Sequence, residues 1–337
     1  MSHSELSEPY AAERESSRPL VVIRRRSGTG LRRTIPRVLA LLDRAIVRLL
    51  PAVPRPVVQR LSSRYIAGPN LEDALRVVRE LNAQGKLATI DVLGEEVSSD
   101  DEARAIAGQY HDVLAELDAA GLDAGVSVKL TALGLELDHD LCRDNLEAVV
   151  RDAAARGRFV RIDMEDSSTT ERTLQLYRLM RDEGYANVGA VLQAYMRRTL
   201  EDASGIDNVR LCKGIYVEPY SIAYRDFDEV RANYVRTLEQ LVAQGAYVGI
   251  ATHDEYLIEQ ALRVVRAAGL SHDQYEFQML LGVRPERGDA LVAGGHRLRI
   301  YVPFGTHWYE YSLRRLQENP KIAGYVAGDT VRGLLGR

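Results

Sequence analysis

A chain of 337 residues, 46% hydrophobic and 27% charged, has a soluble-globular composition and is long enough for one large α/β barrel or two ordinary domains. Its formal net charge of −4 argues against a nucleic-acid binder as a whole. Two cysteines, Cys142 and Cys212, with no CxxC, imply neither a disulfide framework nor a zinc site and fit a reducing compartment.

The charge is uneven along the chain. Residues 1–18 carry −2 and residues 19–65 carry eleven arginines against the single acid Asp43, or +10. The body from 66 onward is therefore left with −12. We divide the chain there, into an N-terminal arm (1–65) and a large domain (66–337). The arm opens on a polar stretch that reads as disordered, and Glu5, Glu8, Glu13 and Glu15 disfavour a transit peptide. Residues 38–50 then show an apolar helical pattern interrupted by Asp43, Arg44 and Arg48 and closed by Pro51 and Pro54. It is too short and too charged to span a bilayer. Two readings remain for it, a helix packed on the large domain or a basic amphipathic helix lying on an anionic membrane.

Beyond Tyr65 the chain is rhythmic. Runs rich in β-formers occur at 87–93, 125–131, 158–165, 187–195, 208–216, 246–252, 274–282 and 297–304, with helical periodicity between them. One helix is predicted to bury Ala103, Ile106, Ala107, Tyr110, Val113, Leu114 and Leu117 after capping serines. Another buries Leu174, Leu176, Tyr177 and Leu179 after Ser167, Ser168 and Thr169. Eight strands alternating with helices over roughly 230 residues predict a (βα)8 barrel. No GxGxxG follows the first strand, so a dinucleotide-binding doubly wound sheet lacks its fingerprint.

In such barrels chemistry sits at the C-terminal ends of the strands. This chain places polar groups there on every strand: Asp91 and Glu95, Lys129, Asp163 and Glu165, Gln193, Arg210 and Lys213, His253 and Asp254, Gln278, and Tyr301. Only four lysines occur, Lys86, Lys129, Lys213 and Lys321, and two of them belong to this ring. His253 is the one histidine at a strand end, so a metal centre is not expected. A Schiff-base aldolase using Lys129 or Lys213 is one reading. A flavin enzyme is another, with Arg210, Lys213, Gly214, Gln193 and Gln278 offered to the cofactor. After the last strand, Tyr311, Arg314, Arg315 and Glu318 fall at helical spacing on one face. Two adjacent guanidiniums there can grip a carboxylate bidentately, or form an ordinary solvated face.

The stretches SVKLTALGLELD (127–138), FVRIDMEDS (159–167), VGAVLQAY (188–195), VRLCKGIY (209–216), IATHD (250–254), EFQML (276–280) and IYVPFG…YSLRRLQENP, running to residue 320, resemble the monofunctional bacterial proline dehydrogenases, in order and with one motif per strand. The resemblance implies a distorted (βα)8 barrel with FAD at the strand C-termini and the last helix over the barrel mouth. By position it implies that Arg314 and Arg315 bind the proline carboxylate beside Lys129, that Tyr301 and Tyr311 pack the pyrrolidine ring, and that Glu95 is an acidic gate residue. Asp163 and Arg210 match catalytic positions. Met164, Val191, Gln193, Arg210, Lys213, Gly214, Ile215, Ala251, Thr252, His253, Gln278, Leu280 and Glu318 match flavin-binding positions. The family commonly reads KGAY where this chain has Ile215 before Tyr216. The chain ends seventeen residues after Pro320, which leaves no room for the aldehyde dehydrogenase domain of bifunctional relatives. The activity implied is hydride transfer from C5 of L-proline to FAD, giving Δ1-pyrroline-5-carboxylate, with electrons passed to a membrane quinone. Oligomeric state is left open.

Overall fold

The computed structural model describes residues 64–94, 97–309 and 312. Within them eight parallel strands close into a barrel in chain order, β8 pairing back onto β1. The strands are β1 Leu87–Val92, β2 Ala124–Val128, β3 Val160–Ile162, β4 Val188–Gln193, β5 Asn208–Cys212, β6 Tyr247–Ala251, β7 Tyr275–Leu280 and β8 Leu298–Phe304. The helices are α1 Leu71–Ala83, before the first strand, then α2 Asp100–Ala119, α3 His139–Ala155, α4 Thr170–Asp182, the short α5 Thr199–Asp202, α6 Phe227–Ala243, α7 Glu255–Ala267 and α8 Pro285–Ala293. The predicted barrel is present, with all eight strands near their expected positions. The arm at 1–63 and the helix expected over the barrel mouth lie outside the described residues.

Several expected strands ran two to four residues too far at their C-terminal ends, most of all 208–216 against β5. The ladder stops where the backbone turns to present polar groups. Gly214, at φ +100, adopts a left-handed conformation that no strand residue uses.

Register explains where the apolar and polar residues go. Side chains alternate across a strand, and the ladder aligns Asp91 with Ser127, Ser127 with Arg161 and Arg161 with Gly189. It also aligns Val191 with Arg210, Arg210 with Gly249 and Gly249 with Glu276. The alternate set, including Ile90, Val126, Val128, Val160, Ile162, Leu192, Leu211, Ile250, Phe277 and Val302, is buried in the hydrophobic core. That core is an annulus between strands and helices, and each large side chain in it contributes on the order of 1.5–3 kcal/mol. Helix α2 buries all seven residues its periodicity predicted. The barrel interior, usually filled by Val, Ile and Leu, is here occupied by charged and polar groups.

Capping follows the sequence in part. Ser99 accepts a hydrogen bond from the Glu102 amide at the start of α2, and Asp138, Asp226 and Asp254 cap α3, α6 and α7. Before α4 the expected capping by Ser167, Ser168 or Thr169 gives way to other bonds. Thr169 makes no side-chain cap, its hydroxyl donates to Asp166 O, and Ser167 Oγ donates to Glu218 of the long β5–α6 loop.

Candidate active site

The strand C-termini converge on a cavity of about 260 Å³. Its polar floor is one continuous network centred on Asp163, the residue that follows β3. Asp163 Oδ1 accepts from Ser127 Oγ at 2.6 Å and from Arg210 Nη1 at 2.6 Å, and Oδ2 accepts from the Tyr301 hydroxyl at 2.8 Å. Arg210 Nε donates to Gln278 Oε1 at 2.5 Å, and its guanidinium lies 5.2 Å from the Tyr301 ring centroid. The Lys129 ammonium donates to both oxygens of Asp91, at 2.7 and 2.8 Å, and sits 3.9 Å from Asp163. Four charged groups from four strands are thus locked together with Lys129 only 8% exposed.

The two carboxylates titrate in opposite directions. Burial pushes Asp91 up, incompletely offset by Lys129 and reinforced by the charge of Asp163. Burial acts the same way on Asp163, but Arg210, Lys129 and the hydrogen bonds from Ser127 and Tyr301 outweigh it and hold the carboxyl below its ordinary range. Asp163 is therefore a fixed anion beneath the cavity, able to hold its neighbours and to stabilise positive charge above it.

Around this floor stand the remaining strand-end residues. Gln193 Nε2 donates to Glu165 O at 2.8 Å, and the Glu165 carboxylate accepts from the Thr131 amide and hydroxyl. His253 Nε2 accepts from the Leu280 amide at 3.0 Å, which places the ring proton on Nδ1 when the imidazole is neutral. Lys213 lies 3.4 Å from Asp254, whose carboxylate also accepts from the Arg231 guanidinium at 2.7 and 2.9 Å. Met164, Val191, Ala251, Met279 and Leu280 give the apolar wall. Ile215, the bulkier residue in the KGIY stretch, lines the cavity while remaining 48% exposed, so its extra volume sits at the rim. A Cβ on Gly214 would fall 2.0 Å from the Tyr195 ring.

Of the expected site, Asp163, Arg210, Lys129, Tyr301, Met164, Val191, Gln193, Lys213, Gly214, Ile215, Ala251, Thr252, His253, Gln278 and Leu280 all line this one cavity. Glu95, Tyr311, Arg314, Arg315 and Glu318 lie outside the described residues. Both lysines face carboxylates, and an ammonium in a salt bridge is not the free amine a Schiff-base aldolase needs. Among the described residues no cluster of three or more potential metal ligands occurs. Two residues of the network are not strand-end groups. Ser127 donates its hydroxyl to Asp163 and accepts from Arg210 at 3.2 Å, and Glu276 accepts from Gln278 Nε2 at 2.5 Å and pairs with Arg299. Their signal was the period-2 alternation of polar residues through the strands.

A closed parallel barrel with a charged network and a mixed polar and apolar cavity at its strand C-termini defines a (βα)8-barrel enzyme. The family model described as Proline dehydrogenase matches residues 74–327, and the chain belongs to that family. It is 36% identical over 281 residues to the proline dehydrogenase of Deinococcus radiodurans, covering 81% of this chain and 91% of that one. It is 37% identical over 267 residues to proline dehydrogenase 1 of Bacillus subtilis (strain 168), covering 78% and 88%. The fold resembles that of proline utilization A from Bdellovibrio bacteriovorus, with a TM-score of 0.74 at 24% identity, over 81% of this chain and 36% of that one. The protein is an oxidoreductase that oxidises proline in proline catabolism.

Proposed function

We propose that the cavity holds FAD, that L-proline is oxidised against it to Δ1-pyrroline-5-carboxylate, and that the electrons pass to a membrane quinone. The observation that carries this reading is that all twelve described flavin positions implied by the family resemblance line a single cavity together with Asp163, Lys129 and Tyr301. The donor set fits a flavin: Arg210, Lys213, Gln193, Gln278 and Thr252 offer N–H and O–H groups beside an apolar wall. Gly214 presents backbone to the cavity, and its missing side chain leaves room for the Tyr195 ring packed behind it. FAD, when bound, supplies the two-electron acceptor.

The chain's own residues do the rest. Asp163 fixes Arg210 and Tyr301, so the groups facing the reacting ring are held by bonds of 2.6 and 2.8 Å. Such positioning is worth several kcal/mol of barrier when the donor carbon is kept in attack geometry. Arg314 and Arg315 grip the substrate carboxylate, Tyr311 packs the ring, Glu95 gates the site and Glu318 meets the cofactor, by their positions in the family motif. The purified protein is expected to be yellow and to bleach when L-proline is added without oxygen. A colourless protein, or a yellow one whose spectrum proline leaves unchanged, would overturn the reading.

The acceptor's location gives the arm a role. Residues 19–65, at +10 against a body of −12, form a peripheral contact with an anionic bilayer, where each basic residue near the surface contributes about 1 kcal/mol. Among the described residues no helix is long and apolar enough to cross a membrane. Sedimentation with anionic vesicles should fall as salt rises, and should be lost in a chain lacking residues 1–50. Equal pelleting of both chains would assign the arm to packing instead.

A further inference from the structure

A second cavity, of about 250 Å³, lies inside the barrel on the other side of Arg210 and Gln278, which line both it and the site above. Its wall carries Arg161, Arg297 and Arg299, the carboxylate of Glu276, and the neutral groups Thr89 and Asn208. The charges do not balance. Glu276 is taken by Arg299, at 2.7 and 3.0 Å, and Arg210 is taken by Asp163 in the upper site. Arg161 and Arg297 have no carboxylate within ion-pair distance among the described residues; Arg161 feels Glu276, and Arg297 feels Asp273, only at longer range.

Arg161 is 5% exposed and is held only by neutral acceptors: Ala190 O at 2.8 Å, Asn208 O at 3.2 Å and Asn208 Oδ1 at 2.6 Å. Buried guanidiniums ordinarily have a carboxylate or another anion as partner. Burial together with the cations Arg210 and Arg299, against which Glu276 acts only in part, lowers Arg161 to about 9. Gly189 leaves room for it, since a Cβ there would meet Arg161 Nη1 at 2.4 Å. Arg297, exposed at the edge of the same cavity, has no side-chain hydrogen bond or ion pair among the described residues. The Thr89 hydroxyl, on a residue only 3% exposed, likewise has no hydrogen-bond partner there. Surplus positive charge, an unpartnered hydroxyl on a mostly buried residue and free volume thus meet in one place.

We propose that this lower cavity binds a small oxyanion, a phosphate or a short carboxylate, with Arg161 and Arg297 as its charge partners and Thr89 as a neutral donor. Charge-assisted bonds from two guanidiniums suit such a ligand, and the volume accommodates a tetrahedral anion with a few waters. The bonded pair Arg210–Gln278 stands between this site and the one that handles proline, lining both.

The test is calorimetric titration of the full-length enzyme, as purified and saturated with L-proline, with inorganic phosphate in one arm and acetate in the other, chloride holding ionic strength constant. One saturable site per chain is expected, and the tighter of the two anions identifies the ligand class. Arg161→Gln should weaken binding at least tenfold and Thr89→Val and Arg297→Gln several-fold. Arg297 lies at the surface, so its replacement should leave both the fold and the rate of proline oxidation unchanged even if Arg161→Gln does not fold. Heats no greater than those of chloride in both arms would overturn the proposal and leave a water-filled cavity. Binding unchanged in Arg297→Gln and Thr89→Val, or abolished by proline, would overturn it by placing the anion elsewhere.

Discussion

Asp163 shows how much one side chain can be asked to hold. It accepts three hydrogen bonds, from Ser127, Arg210 and Tyr301, and its partners are contributed by β2, β5 and β8. Replacing it by Asn keeps the shape but removes the anion, leaving the Arg210 guanidinium, only 8% exposed, without its counter-charge. Breaking one partner of a buried pair costs about 3–5 kcal/mol. If roughly 3 kcal/mol of that falls on the transition state, kcat/KM for proline drops by about two orders of magnitude. Steady-state kinetics of Asp163→Asn should show this loss largely in kcat, because the proposed carboxylate grip of Arg314 and Arg315 is untouched. A change confined to KM would mean that Asp163 acts in binding alone. Tyr301→Phe, which removes a single bond to the same carboxylate, should cost much less, about 1 kcal/mol.

At the scale of elements, the strands were legible because their β-rich runs are bounded by polar breaks, and the outward faces because helical and strand periods both bury apolar residues. The polar ring was legible because each member interrupts an apolar run at a strand's C-terminal end. What could not be read was which members bond to one another: Asp163 meets Ser127 36 residues away, Arg210 47 away and Tyr301 138 away. Barrel closure, not spacing, makes these contacts. Deeper residues such as Glu276 and Arg161 are not marked by strand ends, since only alternation along the whole strand places them inside the barrel. The β5–α6 connection also shows a limit of periodicity, because 208–216 reads as one strand while Gly214 ends it by geometry. Gly214→Ala combines a strained φ of +100 with a Cβ placed 2.0 Å from the Tyr195 ring. Local displacement of the KGIY loop is therefore expected, with a stability loss of about 1–3 kcal/mol and lower flavin content as purified. Thermal melts and the ratio of flavin to protein absorbance would check both, and a variant with wild-type flavin content would remove Gly214 from the proposed cofactor cradle.

For the whole molecule, an apolar annulus around a charged axis makes stability depend on pH in a direction that can be worked out. Asp163 and Glu276 both lie in the barrel interior, and burial would raise them. Arg210 and Lys129 for the first, and Arg299 for the second, win and leave both lowered. Asp254, at the cap of α7, is lowered in the same way, its burial outweighed by Arg231 and Lys213. A carboxyl lowered in the fold contributes stability that is complete above its ordinary pKa of about 4 and is lost as pH falls through the folded value, because the unfolded chain takes up protons first. Asp91 has the opposite sign. It is raised by burial, so the folded chain takes up its proton earlier and a small part of the loss is returned. These three lowered carboxyls, joined by the more exposed Glu102, Asp152, Glu171, Glu255 and Asp273, which are also lowered, against the one raised Asp91 predict net acid destabilisation beginning near pH 5 and steepening below about 4. Urea midpoints measured from pH 7 down to pH 3 should fall along that course. Glu276→Gln should start lower at pH 7, since Arg299 loses its partner, and then decline less steeply, because one of the buried protonations is gone. An equal slope in the variant and the parent chain would show that surface carboxylates, and not the charged axis of the barrel, govern acid unfolding.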